Sequence, residues 1–167
     1  IIGPIRANST MTKFTINSLL PPIIDNTYQG KAISLIVFIP LTMVTVARSL
    51  IHIFSKDGGA QSIATIPLTS YSFEASQAVI TMFALWGLSQ LLLAMVFLIT
   101  ILKYRSLLPL MYLIVFIEYI GRHIIMTLLP IETLGNAPGS IINLIIAPIA
   151  FILMLLAMPM RTLNDDI

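Results

Sequence analysis

Ionisable side chains interrupt two of the long apolar runs of this sequence, and they do so at helical spacing. Arg48 and His52 are four residues apart in one run. Glu118 and Arg122 are four apart in another, where His123 follows directly. Residues four apart lie on one face of a helix, so each pair can act together. Because an unpaired charge among apolar helices is costly, these residues are expected to face other helices and to form one polar constellation.

Two guanidinium groups beside one carboxylate can do three kinds of work. They can bind an anionic or polar headgroup, because guanidinium pairs well with phosphate and carboxylate. They can form a ligand-free ion network, in which the carboxylate neutralises an arginine and fixes the register of the helices. The pair on the first helix can also extend towards a membrane interface. The candidate binding or buried polar residues are Arg48, His52, Gln90, Glu118, Arg122, His123 and Asn143.

The candidate cofactor ligands are the two histidines, His52 and His123. Both are predicted at the outer ends of their helices. Bis-His ligation of a b-type haem is therefore an open alternative. A metal site that adds Glu118 lacks the spacing of known metal motifs. The sequence contains 0 Cys, which excludes thiolate ligands and cysteine nucleophiles. No arrangement of catalytic residues stands out, so we expect a non-catalytic protein and predict no cofactor.

The composition indicates which elements position these residues. The chain is 57% hydrophobic and only 10% charged, whereas soluble domains are about 45–50% apolar and about 25% charged. A chain of 167 residues cannot bury so much apolar surface in its own interior, so lipid is the expected solvent. The nine Lys and Arg are scattered and form no basic patch, which argues against nucleic acid as a partner.

Four apolar runs approach the roughly 20 residues that a helix needs to cross a bilayer. They are residues 32–54, 75–102, 107–129 and 141–160. We predict an all-α membrane four-helix bundle of up-down-up-down order, with a long outer loop between its first two helices. Residues 1–31 are predicted to be a cytoplasmic, partly interfacial segment, in which Met11 is an alternative native start. Residues 161–167 are predicted to be a short cytoplasmic tail.

The orientation follows from the positive-inside rule. The basic residues that would share one side of the membrane are Arg6, Lys13, Lys31, Lys103, Arg105 and Arg161. Lys56 falls on the other side. Both termini are therefore expected on the cytoplasmic side of a bacterial inner membrane, or on the equivalent side of an organellar inner membrane.

Two short motifs add a family resemblance. Gly87-x-x-Gln90 lies on the second predicted helix, where a glycine would let a neighbouring helix approach. Glu118-x-x-Gly121-Arg122 lies on the third. Together with the four-helix layout, these motifs resemble the DoxX-like grouping of small four-helix membrane proteins over about residues 32–160. Some members of that grouping are quinone-linked subunits, although the long outer loop here departs from its pattern.

The expected function is therefore that of a small polytopic membrane protein, a non-catalytic subunit or a binding protein. Its polar pocket for a lipid or another anionic or polar ligand would lie in the outer half of the bundle. The alternative is a quinone- or lipid-linked membrane enzyme or redox subunit, with a bis-His haem as one form of it, and a transporter is the third class. The expected partners are the bilayer and either other membrane subunits or further copies of this chain.

Overall fold

The computed structural model describes residues 16–135 and 138–159. Every regular element in these ranges is helical, which confirms the all-α prediction for the described residues. The α-helices are α1 (Ile16–Leu19), α2 (Ala32–Phe54), α3 (Phe73–Lys103), α4 (Leu108–Leu128) and α5 (Pro138–Ala157). Short 3-10 turns, Leu68–Ser70 and Arg105–Leu107, precede α3 and α4. The predictions for Met11 and for residues 161–167 lie outside the described residues.

The ends of the helices follow local rules. Helix α3 begins two residues before the predicted start, because the hydroxyl of Ser72 accepts a hydrogen bond from the Ala75 N–H at 3.2 Å and caps the helix. Helix α5 lies three residues earlier than predicted at both ends. Pro138 suits a first helical position, where no backbone N–H is needed. Pro159 disfavours a helical conformation at the residue before it.

Three helical segments are long and apolar enough to cross a membrane, judged by length and composition among the described residues. They are Ala32–Phe54, Phe73–Lys103 and Arg105–Leu128. The apolar part of α5, Ile141–Ala157, is shorter than these. Of the four helices predicted to cross the membrane, three therefore meet this criterion.

Helix α2 has an inverted amphipathic pattern. Its buried residues are Ser34, Phe38, Thr42, Thr45, Ser49 and His52. The hydroxyls of Thr42, Thr45 and Ser49 each donate to the carbonyl oxygen four residues earlier. The large residues that it exposes include Ile36 and Val44, with 61% and 65% of their surfaces accessible. A helix of a water-soluble protein buries its apolar face instead.

The apolar core draws buried residues from all four long helices, most of them from α4 and α5. The ring of Phe38 packs against the rings of Phe97 and Tyr112, with centroid distances of 5.1 and 5.0 Å. The Tyr112 hydroxyl donates to the Ser34 carbonyl oxygen at 2.7 Å, so its polar end is satisfied inside the core. Helices α2 and α3 pack extensively against each other, and so do α4 and α5.

Backbone hydrogen bonds join the connections at each end of the bundle. At one end, called here the Lys31 end, the Lys31 N–H donates to the Leu156 carbonyl oxygen at 2.8 Å. Asp25 and Ser106 also bond to each other there, which ties the segment before α2 to the turn before α4. At the opposite end, called the Phe54 end, the Leu134 N–H donates to the Thr65 carbonyl oxygen at 2.8 Å.

Candidate functional site

The indole of Trp86 on α3 lies at the centre of the predicted polar residues. Its ring is 5.5 Å from the guanidinium carbon of Arg48 and 4.8 Å from that of Arg122. The His52 ring lies 4.7 Å from it, centroid to centroid. Helices α2, α3 and α4 thus bring two cations and an imidazole to one aromatic ring, where each cation–π contact contributes about 0.5–2 kcal/mol. The Trp86 cluster is defined as Trp86, Arg48, His52, Gln90, Glu118 and Arg122.

Gly87 allows α2 and α3 to approach closely enough to build this cluster. A Cβ atom at Gly87 would lie 2.7 Å from the Cβ of His52 and 3.0 Å from the carbonyl oxygen of Ser49. Neither neighbour is the mobile end of a long side chain, so only glycine fits without a shift of one helix. The sequence-based prediction that a neighbouring helix approaches at this glycine is confirmed.

Glu118 and Arg122 form an ion pair along α4, as their spacing predicts. Their side chains are shielded, with 18% and 16% of their surfaces accessible. The guanidinium of Arg122 also lies over the ring of Tyr119, at 5.1 Å from its centroid. Arg122 is therefore held by one carboxylate and two aromatic rings.

Arg48 has no carboxylate partner in the described part of the chain. Its Nη2 donates to the Oε1 of Gln90 at 3.1 Å. Its Nε is buried and makes no hydrogen bond. The cluster holds two guanidinium groups and one carboxylate, so it carries an uncompensated positive charge and an unused donor.

His52 links the cluster to the connection between α2 and α3. Its Nδ1 lies 2.7 Å from the carbonyl oxygen of Gly58. A carbonyl oxygen only accepts, so Nδ1 carries the hydrogen and Nε2 of the neutral ring is an acceptor. That Nε2 is buried without a partner. Both guanidinium groups of the cluster lie against the same indole ring as this imidazole.

The α2–α3 connection, residues 55–72, folds back over the Phe54 end. Gly58 and Gly59 have φ values of 60° and 75°, which turn the chain so that the Gly58 carbonyl reaches His52. Ala60, Ile66 and Leu68 are buried against a face of α3 formed by Val79, Ile80 and Phe83. This connection therefore covers the cluster from the Phe54 end.

Asp57 organises the same connection. Its carboxylate accepts backbone N–H groups of Gly59, Gln61 and Ser62. Burial raises the pKa of Asp57, but the N–H donors of Ser62 and Gly59 outweigh it and lower the pKa to about 2. The carboxylate is thus a fixed structural acceptor at neutral pH.

Two predicted site residues lie outside the cluster. His123 is exposed, because it is rotated about 100° around α4 from Arg122. Asn143 is buried on α5, but no hydrogen bond joins it to the cluster among the described residues. The bis-His haem stays an alternative to the prediction of no cofactor. Sequence reasoning missed the central role of Trp86, which its position one helical turn before Gln90 could have indicated.

An apolar groove of about 280 Å³ runs beside the cluster. It is lined by residues of α2 and α5, together with Tyr119 of α4. Helix α2 contributes Val37, Pro40, Leu41 and Val44. Helix α5 contributes Ile146, Ile149, Ala150 and Leu153. We call it the α2–α5 groove.

Comparison with protein-family models, with curated proteins and with solved structures finds no match for this chain. The DoxX-like resemblance therefore rests on its motifs. The two motifs contain one glycine each. Gly87 is a point of close helix contact, whereas a Cβ atom on Gly121 would meet nothing within 4 Å.

Proposed function

We propose that this chain is an integral membrane four-helix bundle that acts as a non-catalytic subunit or binding protein, and that its Trp86 cluster binds an anionic or polar group. The observation that carries the proposal is the uncompensated guanidinium of Arg48, which is partly buried beside the Glu118–Arg122 ion pair. Charged groups within a membrane span are paired or functional as a rule. A bound anion would supply the missing partner.

The membrane location is supported by the inverted pattern of α2 and by three helices of sufficient length. The up-down-up-down order is supported by the backbone contacts at the two ends, because Lys31 meets Leu156 at one and Thr65 meets Leu134 at the other. Lys31, Lys103 and Arg105 lie at the Lys31 end. The positive-inside rule makes that end cytoplasmic, in a bacterial inner membrane or an organellar equivalent.

The absence of native cysteine gives a direct test of this topology. Thr69→Cys lies at an exposed position of the α2–α3 connection, and Tyr104→Cys at an exposed position near the Lys31 end. A membrane-impermeant maleimide should label Thr69→Cys in intact cells and Tyr104→Cys only after permeabilisation. Labelling of both positions in intact cells would contradict the orientation.

The binding role is tested by replacing Arg48 with Met and recording native mass spectra of the purified protein. We expect the wild type to carry an anionic ligand that Arg48→Met loses, with little change in its thermal unfolding temperature. Lys56→Met is the matched control, since it removes an exposed cation at the same end without touching the cluster. The binding role fails if Arg48→Met retains the wild-type ligand mass, or if the wild type carries none.

Glu118→Gln is the complementary change. It leaves Arg122 shielded without its carboxylate, and breaking such a pair costs roughly 3–5 kcal/mol when both groups are buried. We expect a clear loss of thermal stability relative to Glu132→Gln, which changes an exposed carboxylate in the α4–α5 connection. Equal stability of the two variants would show that the ion pair does not hold the bundle together.

A further inference from the structure

We propose that the ligand of the Trp86 cluster is a membrane phospholipid with an anionic phosphodiester headgroup, and that one of its hydrocarbon chains lies in the α2–α5 groove. This inference rests on the proposed function and adds the chemical class of the ligand and the path by which it enters. Three observations lead to it: the register of α2, the position of Tyr119 and the charge of the cluster.

The register of α2 places the groove directly below a cation. Val37, Leu41 and Val44 line the groove at intervals of four and three residues, which is one face of the helix. Arg48 continues that face four residues later, about 6 Å further along the axis. A chain that lay in the groove would therefore bring its polar end to the level of Arg48.

Tyr119 connects the groove to the second cation. Its side chain lines the groove, and the guanidinium carbon of Arg122 lies 5.1 Å from the centroid of the same ring. Both arginines of the cluster thus lie near one end of a single apolar channel, one on α2 and the other on α4.

The lining of the groove matches a hydrocarbon chain. Apart from the Tyr119 ring, all its residues are aliphatic or proline. Its rim is accessible from the side of the bundle, because Val44 and Ile149 are 65% and 46% exposed. In a bilayer this rim would face lipid, so an acyl chain could enter laterally without crossing water.

The charge of the cluster selects the headgroup. Two guanidinium groups and one carboxylate leave one positive charge, and a phosphodiester carries one negative charge, so the occupied cluster would be neutral. Its oxygens would also give the unpartnered Nε of Arg48 an acceptor. A zwitterionic lipid would bring its own cation beside two arginines.

The headgroup is tested with two lipids that have the same acyl chains. The full chain in detergent is incubated with equal amounts of dioleoyl phosphatidylglycerol and dioleoyl phosphatidylcholine, and bound lipid is counted by native mass spectrometry. We expect roughly tenfold or greater preference for phosphatidylglycerol, because both lipids offer the phosphodiester but only phosphatidylcholine adds a cation beside the two arginines. Equal retention of the two lipids would overturn the anionic headgroup.

The groove is tested with Ile149→Trp, which fills it. The control is Ile145→Trp, since Ile145 has a similar exposure one turn away but does not line the groove. We expect Ile149→Trp to lose phosphatidylglycerol roughly tenfold and Ile145→Trp to retain it, with both variants folded. Val44→Trp blocks the same groove from α2 and replaces Ile149→Trp if that variant unfolds.

The variants separate the chain site in the groove from the binding role of the cluster. If Arg48→Met loses phosphatidylglycerol while Ile149→Trp and Val44→Trp retain it, the groove is not the chain site, and the proposed binding role stands. If Arg48→Met retains phosphatidylglycerol at the wild-type level, the binding role of the cluster fails as well.

Discussion

The two ends of the bundle differ in the hydrogen bonding of their buried polar groups. At the Lys31 end, the hydroxyls of Ser34, Tyr112 and Ser106 each donate to a backbone carbonyl oxygen. At the Phe54 end, Arg48 Nε, His52 Nε2 and Ser55 Oγ are buried without a partner. These three are the only such side-chain atoms in the described part of the chain.

The two ends therefore differ in how far their buried polar groups are satisfied. Polar groups at the Lys31 end use their hydrogen-bonding capacity to join α2 to α4 and the segment before α2 to the turn before α4. Polar groups near the Phe54 end retain unused capacity, although an unsatisfied buried group costs about 1–3 kcal/mol. The first arrangement is that of a closed scaffold, and the second supports the proposed binding role of the Trp86 cluster.

Among the substitutions that compare packing at the two ends, the largest effect is expected at the close contact of α2 and α3 near the Phe54 end. Gly87→Ala places a Cβ atom 2.7 Å from the Cβ of His52, so α2 and α3 must separate. We expect a loss of about 1–3 kcal/mol in the free energy of unfolding. The loss is measured by denaturant unfolding in detergent.

Gly121→Ala is the matched control, since it adds the same atom to α4 with nothing within 4 Å. Alanine is the better helix former by up to about 1 kcal/mol, so this variant should be as stable as the wild type or more stable. A Gly87→Ala variant of unchanged stability would mean that the helices do not meet at this glycine.

A smaller effect is expected at the Lys31 end. Tyr112→Phe removes the hydroxyl that donates to the Ser34 carbonyl oxygen and should cost about 1 kcal/mol. Tyr104→Phe, at an exposed position, should cost nothing measurable. Ligand retention by the Trp86 cluster should be unchanged in both variants. Loss of ligand in Tyr112→Phe would contradict the assignment of ligand binding to the Phe54 end alone.

The smallest effect is expected from the Asp57 carboxylate, whose contribution to stability in the α2–α3 connection depends on pH. The pKa of Asp57 is lowered to about 2, so its contribution to stability is complete above its ordinary value of 3.8. That contribution is lost as the pH falls towards 2. The contribution is at most on the order of 1 kcal/mol, because Asp57 is partly exposed to solvent.

Asp57→Asn isolates this effect. The difference in unfolding temperature between wild type and variant should be largest above pH 4 and should shrink as the pH approaches 2. A difference that stays constant over this range would show that the Asp57 carboxylate does not hold the connection.

Several features were determined by the sequence alone. The length of the apolar runs located four long helices to within three residues at each end. The spacing of Glu118 and Arg122 predicted their ion pair, because side chains one turn apart on a helix lie within reach of each other. Gly87 marked the close approach of two helices, since only the absence of a side chain permits it.

Other features were decided by the tertiary structure. Helical periodicity relates the faces of one helix to each other, but it does not show which face turns towards a neighbour. Arg122 therefore lies in the cluster while its neighbour His123 is exposed. The placement of Trp86 between two arginines and the reach of Gly58 to His52 depend on the rotation of separate helices and on the path of a connection. Such relations join residues far apart in the chain, and no local pattern encodes them.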